Sequence, residues 1–349
     1  MNYRVLKSNI KNDNLFNFIV LYGDELFLID ESVKAIIDKY LSSDFREMNF
    51  NRFENLEDER FNDFYETVNT FPFMSDKKVI IVNDSEFLTS TGGIDKKYEE
   101  RLIELISSNN STSLVVFLLK NKKPDTRKKL LKLLKDNNAL YEINKLEEGE
   151  LAAWIIEGFK NKGVKINASN ANYIALNCGY LDYESVITLY DVNNEIGKIS
   201  SYSMSKNTTD KDIEVSRDDI DLLLTKSLDS NIFKLVDYIC EGKKDKANVM
   251  LEDMLQNGVA EQFIIHMITR QYRMIYEYQV LSKKGYSMNQ IMDTMKIKKF
   301  IASKLAAIAR NLHIEKTEFI IEKLLEIDRK IKTGYIDKNI GLDIICNMF

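Results

Sequence analysis

The string Tyr22-Gly23-Asp24-Glu25 constrains this chain more than any other, because of what precedes it and what fails to follow it. It comes directly after the apolar run Phe18-Ile19-Val20-Leu21 and opens a helical pattern through Leu26, Ile29, Val33 and Ile37. A strand, a glycine turn and a helix in that order is the layout in which nucleotide-binding proteins set a phosphate loop. A working loop requires G-x-x-x-x-G-K-[ST]: glycines let backbone N–H groups approach the phosphates, Lys meets the terminal phosphates, and a hydroxyl holds Mg²⁺. After Gly23 come Asp24, Glu25, Leu26, Phe27, Leu28 and Ile29, with no second glycine, no Lys and no Ser or Thr. Two carboxylates stand where anions would have to bind. The layout predicts an α/β fold, while the missing groups predict that no nucleotide cofactor is held.

The rest of the first part follows the same alternation. Strands are expected at Phe18–Leu21, Phe50–Phe53, Val79–Val82, Leu114–Leu119 and Leu140–Ile143, with helical patterns around 30–41, 58–69, 97–107 and 126–135. Val79–Val82 and Leu114–Leu119 are continuous apolar runs, as parallel strands buried on both faces require. This predicts a parallel sheet with flanking helices over residues 1–145. Asn144 to Gly149 reads as a polar linker.

Beyond it the strand signal nearly vanishes. A helix is expected from Glu150 to Lys162, with Leu151, Trp154, Ile155 and Phe159 on one stripe and Gly163 as its stop. Ser169 is the expected N-cap of the next helix, which closes near Gly179. Residues 146–215 thus read as a small helical domain in which the polar stretch 200–212 forms a loop or hinge. Residues 216–349 read as an all-helical bundle, with apolar stripes at Ala247, Met250, Leu251, Met254 and Leu255, at Ile264, Met267, Ile268, Tyr272 and Ile275, at Leu305, Ile308 and Leu312, and at Ile320, Leu324, Ile327 and Ile331. Only Pro72 and Pro124 interrupt the chain, which favours so much helix.

Composition excludes several classes. Forty-nine Lys and Arg against 54 Asp and Glu leave a formal charge of −5, without the basic excess of a protein that binds DNA alone. Cys178, Cys240 and Cys346 lie far apart and form no disulfide framework. His266 and His313 stand alone in helical patterns, so no metal site is expected. No apolar signal region opens the sequence, and the strongest apolar run falls far short of the ~20 residues of a bilayer span. A cytoplasmic protein without membrane partners is expected. No paired carboxylates for a two-metal site are visible, so no catalytic residues and no nucleotidyl transfer are expected of this chain. Asp84 follows Val79–Val82 where a Mg²⁺-binding acid would be sought, and reads as a loop or cap residue.

Three other segments invite functional readings. Pro72 breaks a helical pattern and forces Phe71 toward extended backbone, leaving Phe73 and Met74 in a loop beside Ser75-Asp76-Lys77-Lys78. Two large apolar groups in a polar, proline-marked loop suit a surface anchor for a partner's pocket; the alternative is that both tuck under the sheet. Lys120 to Lys135 carries eight basic residues, among them Lys122, Lys123, Arg127 and Lys128, against the single acid Asp125. That is either a ridge facing DNA or an acidic partner, or a solvated helix face. Ile291 to Arg310 resembles a helix-turn-helix in outline, but its second helix is rich in Ala, Ile and Leu and suits packing inside the bundle.

An ordered set of strings then narrows the family. Tyr22-Gly23-Asp24-Glu25-x-x-Leu28, Phe71-Pro72-Phe73-Met74-Ser75-Asp76-Lys77-Lys78-Val79, Glu150-Leu151-x-x-Trp154-Ile155, Ile232-Phe233-x-Leu235-Val236-Asp237, Arg270-Gln271-Tyr272-Arg273 and Asp328 to Gly334 resemble the delta subunit of bacterial DNA polymerase III. The resemblance covers nearly the whole chain. It implies an AAA+-like N-terminal domain, a small lid-like helical domain and a helical collar domain. It also implies a subunit that binds and opens the sliding clamp without hydrolysing ATP. The partners implied are the clamp (beta), the gamma/tau and delta-prime loader subunits through the collar, and primed DNA in the complex at replication forks. Phe73 and Met74, with Pro72, match the hydrophobic residues that enter the clamp's peptide-binding pocket. Two departures fall in the second domain: the polar stretch 200–212, and Asp191 to Ile196 in place of a Leu/Glu-rich segment. The rival readings are an active AAA+ ATPase with a divergent phosphate loop, and a helical DNA-binding or scaffold protein.

Overall fold

In the computed structural model, all five expected strands form one parallel sheet: β1 Phe18–Gly23, β2 Phe50–Phe53, β3 Lys78–Val82, β4 Ser113–Lys120 and β5 Leu140–Glu142. Their order is β2-β3-β4-β1-β5. The structure describes residues 1–108, 112–182, 185, 187–206, 213–225, 228–297 and 299–347. β1, β3 and β4 are buried almost throughout. Their Val, Ile, Leu and Phe side chains meet helices on both faces, which is why they read as unbroken apolar runs. Register follows directly, with Phe18 opposite Val115 and Phe50 opposite Val79.

Gly23 ends β1 with φ +140°, a conformation that L side chains rarely adopt. A Cβ there would lie 2.0 Å from the carbonyl oxygen of Ile143. The glycine is required by this approach of two backbones, and the turn then releases the chain into the helix Leu26–Tyr40.

One helix in this region carries no strong sequence signal. Tyr3–Lys11 is capped by the Asn2 side chain, which accepts from the Val5 N–H at 3.2 Å, and it buries only Leu6 and Ile10. Asn9 donates to the Tyr141 hydroxyl at 2.9 Å, tying the helix to the β5 edge. Only two of its nine residues are buried, too few to mark a core-facing stripe in the sequence.

By internal packing the chain divides into two units. The first is Met1–Glu150 with Thr188–Asp191, and the second is Leu151–Ile187 with Val192–Phe349. In the second unit, the helix Glu148–Asn161 buries Leu151, Trp154, Ile155 and Phe159, and Gly163 follows it at φ +77°. The next helix, Ala168–Asn177, is capped not by Ser169 but by Asn167, whose side chain accepts from the Asn170 N–H at 2.9 Å. Ser169 lies inside the first turn. Gly179 closes this segment at φ +85°.

The expected loop or hinge over 200–212 is corrected in its first half. The helix Leu189–Lys206 runs through it, and Ser200 and Ser203 are buried. The stripe Leu189, Val192, Ile196, Ile199, Ser203 has helical spacing and is wholly buried, but it ends in serine. Small hydroxyl side chains continue the packing where hydropathy sees a polar break. Residues 207–212 lie outside the described residues.

A separate hydrophobic cluster runs from Ile232 to Cys346. The helix Glu261–Lys283 is its spine, touching Leu228–Cys240, Lys299–Asn311, Ile314–Lys332 and Lys338–Asn347. The Gln279 amide, buried in this cluster, donates to the Leu312 carbonyl at 2.5 Å and accepts from the Thr317 hydroxyl at 2.9 Å. Ala302, Leu305, Ala306 and Ile308 face inward, so the second helix of the helix-turn-helix outline is a packing element. Among the described residues no helix is long and apolar enough to cross a membrane.

Gly23→Ala is expected to destabilise the first unit by at least about 2 kcal/mol, through backbone strain and overlap with Ile143. Gly93→Ala, whose Cβ would meet nothing within 4 Å, should stay within about 0.5 kcal/mol of the parent. Urea denaturation of both variants measures the contrast.

Candidate functional site

The phosphate-loop position lies at the carboxyl end of β1. Glu25 there is almost fully buried and stands at the N-cap of the helix Leu26–Tyr40. Its N–H is given to the Ile143 carbonyl at 3.2 Å, and the Gly23 carbonyl accepts from the Asn121 N–H at 2.8 Å. Asp24 accepts from the Lys145 N–H at 3.1 Å. The exposed side of the helix's first turns is occupied too. Tyr190 packs edge-on against Phe27 with ring centroids 4.9 Å apart, and its hydroxyl donates to Asp30. Desolvation and the Asp30 acceptor push that hydroxyl up to about 12. Lys120 stands nearby, paired with Asp30 at 2.8 Å. Chemically this is a carboxylate-lined turn whose backbone groups bond to protein. Asp84 is exposed in the loop after β3, its N–H donating to the Glu54 carbonyl at 2.8 Å.

The proline-marked loop lies at the opposite, amino end of β3. It leaves the helix Asp58–Asn69 at Thr70, whose N–H donates to the Glu66 carbonyl at 2.9 Å. It re-enters the sheet at Lys78, a buried lysine. The Lys78 ammonium reaches back to the carbonyls of Thr67 and Thr70 and to the Thr70 hydroxyl, the last at 2.8 Å. One side chain therefore caps the helix end and closes the base of the loop. Burial pushes its ammonium down to about 8. Ser113 adds a bond from its hydroxyl to the Val68 carbonyl at 2.8 Å.

Between these pins, Phe73 is 50% exposed and Met74 74% exposed, so neither tucks under the sheet. Pro72 is half-buried. Met74 takes φ +47°, which a non-glycine residue adopts only when its surroundings hold it there. The Phe73 ring leans edge-on against Phe45, with centroids 5.8 Å apart. Phe71, which the sequence reading treats only as the residue before the proline, is 87% exposed and belongs to the same apolar tip. The signal was present, since Pro72 forces Phe71 into extended backbone, away from the helix that ends just before it.

The basic ridge is largely satisfied internally at the four residues singled out. Lys122 pairs with Glu86, and Lys123 with Glu142 at 3.5 Å. Arg127 forks onto Asp125 at 2.8 Å through two nitrogens and holds that carboxyl down to about 2. Lys128 donates to the carbonyls of Phe87 and Gly92 at 2.6 and 2.7 Å. Lys129, Lys132 and Lys135 are exposed on the helix Lys129–Asp136, whose Leu130, Leu131 and Leu134 are buried.

His266 and His313 are exposed and far apart in sequence, and among the described residues no cluster of His, Cys, Asp or Glu could hold a metal. All three cysteines are free, and burial raises each thiol.

A five-stranded parallel sheet in this order, a glycine turn after β1, flanking helices and an all-helical C-terminal region define an AAA+-like protein. Two family models match the chain: "DNA polymerase III, delta subunit" over residues 19–144, and "DNA polymerase III delta subunit, C-terminal domain" over residues 229–348. The chain belongs to the DNA polymerase III delta subunit family. It is 27% identical to DNA polymerase III subunit delta of Bacillus subtilis, over 99% of this chain and 95% of that one. It is 24% identical to a probable DNA polymerase III subunit delta of Aquifex aeolicus, over 91% and 87% of the two chains. A solved structure of the B. subtilis DNA clamp loader delta protein matches with a TM-score of 0.58 at 25% identity, covering 99% of this chain and 98% of that one.

Lys78→Met is expected to cost about 2–3 kcal/mol, because the carbonyls at the helix end lose a charged donor. Since burial depresses the folded-state pKa from 10.5 to about 8, the unfolded chain binds more protons between those values. The stability margin of the parent over the Met variant should therefore be flat below pH 8 and widen as pH rises toward 10.5. Thermal melts of both proteins from pH 7 to pH 10 test the sign.

Proposed function

We propose that this chain is the subunit of its loader that binds the sliding clamp and opens the ring, without hydrolysing ATP itself. The observation that carries the reading is the apolar tip Phe71–Met74, exposed on a loop whose two ends are held by Lys78 and Ser113. Phe73 and Met74, beside Pro72, are the anchors for the clamp's pocket. An aromatic ring supplies area at low entropic cost, and a thioether adapts to the pocket's shape.

The physics is differential binding. The subunit shifts the ring only by the difference between its affinities for the open and closed interfaces. Moving a ring from 1:99 to 99:1 open requires about 5.5 kcal/mol. Two well-desolvated anchors, at about 2 kcal/mol or more each, together with surrounding contacts are of that order.

Within this reading the three-part division stands as 1–145 for clamp engagement, 146–215 as a lid-like domain and 216–349 as the collar that meets the gamma/tau and delta-prime subunits. Primed DNA is a partner of the assembled loader. Lys122, Lys123, Arg127 and Lys128 would meet DNA or an acidic partner only by exchanging their internal partners, while Lys129, Lys132 and Lys135 extend the same positive edge without that cost.

The non-hydrolytic part of the proposal rests on Asp24 and Glu25 occupying the turn, with Tyr190 against the helix's first turns.

Phe73→Ala and Met74→Ala should each weaken clamp binding about thirtyfold and slow ring unloading, measured by surface-immobilised clamp and by release of clamp from circular DNA. Unchanged affinity in either variant removes that residue from the anchor assignment. Equilibrium titration with ATP and Mg²⁺ should give no saturation at millimolar nucleotide. Tight binding that maps to Gly23 would favour the ATPase reading instead.

A further inference from the structure

The tip does not hold its shape by its own residues. Asn49, 1% exposed and 24 residues away in sequence, makes a two-point bond to the backbone of Phe73. Its Oδ1 accepts from the Phe73 N–H at 2.7 Å, and its Nδ2 donates to the Phe73 carbonyl at 2.8 Å. The same Nδ2 donates to the Phe45 carbonyl at 3.0 Å, and the Phe45 ring is the one against which Phe73 leans. A single carboxamide thus does for Phe73 what a neighbouring strand would do, satisfying both backbone groups at once. At neutral pH only Asn and Gln carry an acceptor and a donor side by side on one carbon, and Gln is one methylene longer.

The location of Asn49 explains why it can act as a fixed reference. It closes the short helix Arg46–Asn49 and directly precedes β2. Because Phe50 pairs with Val79, Asn49 stands level with Lys78 at the amino edge of the sheet. Phe73 is therefore tied sideways to the neighbouring strand's approach, while Lys78 ties the loop's base to the preceding helix. The next residue, Met74, turns into the left-handed region at φ +47°. Freed from Asn49, Phe73 and Met74 would sample other backbone states, and only a fraction would present both side chains together.

We propose that Asn49 is the positioning residue of the clamp-binding tip: its carboxamide splints the Phe73 backbone and holds the tip in its binding conformation before the partner arrives. This rests on the reading of Phe73 and Met74 as the anchors. A splint acts on the free protein, so its loss reduces the competent fraction and weakens binding by that fraction. The effect falls on association rather than dissociation, since the anchors themselves are unaltered.

The test compares full-length Asn49→Ala, Asn49→Asp and Phe73→Ala for clamp association and dissociation rates, with residue-resolved hydrogen exchange on the free subunit. Asn49→Ala should lower the association rate about tenfold and leave dissociation within twofold. Phe73→Ala should act mainly on dissociation. The Phe73 amide should exchange at least tenfold faster in Asn49→Ala, with the Thr70 amide unchanged. Asn49→Asp keeps the acceptor for the Phe73 N–H but sets a carboxylate against two carbonyls, so it should slow association even if the Ala variant does not fold. If Phe73→Ala binds normally, the anchor reading fails. If Phe73→Ala is impaired but the Asn49 variants associate at the parent's rate, or the Phe73 amide keeps its protection, the splint is refuted and the anchors stand.

Discussion

The parallel ladder that joins β2, β3 and β4 is the frame on which everything else in the first unit is measured. β3 and β4 are buried on both faces, so a slip of one residue would move every side chain from the packing of one face into that of the other. That register sets Asn49 beside Lys78 and Ser113 beside the end of the helix Asp58–Asn69. The exposed tip between Thr70 and Lys78 thereby inherits the rigidity of the sheet. A loop with two aromatic rings and a methionine in water is costly in isolation; here its ends are closed by the buried Lys78, bonded to two carbonyls and the Thr70 hydroxyl, and by the buried Ser113, bonded to the Val68 carbonyl.

Parallel topology also separates two tasks that share one domain. All strands point the same way, so the turn after Gly23 opens at the carboxyl edge while the Phe71–Met74 loop sits at the amino edge. The carboxyl edge is where such folds hold ligands. In this chain that edge is occupied by Asp24, Glu25 and the Tyr190–Asp30 contact. The amino edge, ordinarily a plain connection, carries the apolar tip. A chain that keeps the nucleotide-binding layout without its phosphate groups, and elaborates the other edge instead, fits a subunit whose proposed work is gripping a partner.

Much of this was legible in the linear order of residues. Unbroken apolar runs mark Val79–Val82 and Leu114–Leu119 because burial on two faces leaves no room for polar alternation. The glycine turn and its missing Lys are visible because a phosphate loop tolerates so few residue types. Other features are invisible for equally physical reasons. Ser200 and Ser203 look like linker and are packed helix, since small size can matter more than polarity in a close contact. Asn167 rather than Ser169 caps its helix because either side chain can serve, and only the backbone path chooses. The basic run looks like a free positive face, yet Lys122, Lys123 and Arg127 have carboxylate partners and Lys128 has two carbonyls, and of these partners only Asp125 is close in sequence.

By itself the sequence determined the strand set, the absence of the phosphate-binding groups and the presence of an apolar pair beside a proline, because each follows from local residue chemistry. Tertiary structure alone decided that Lys78 closes the loop and that Asn49 holds Phe73. Those contacts join residues 8 to 24 positions apart through a sheet register, and a side chain's partner at that range is set by how strands pair rather than by which neighbours it has along the chain.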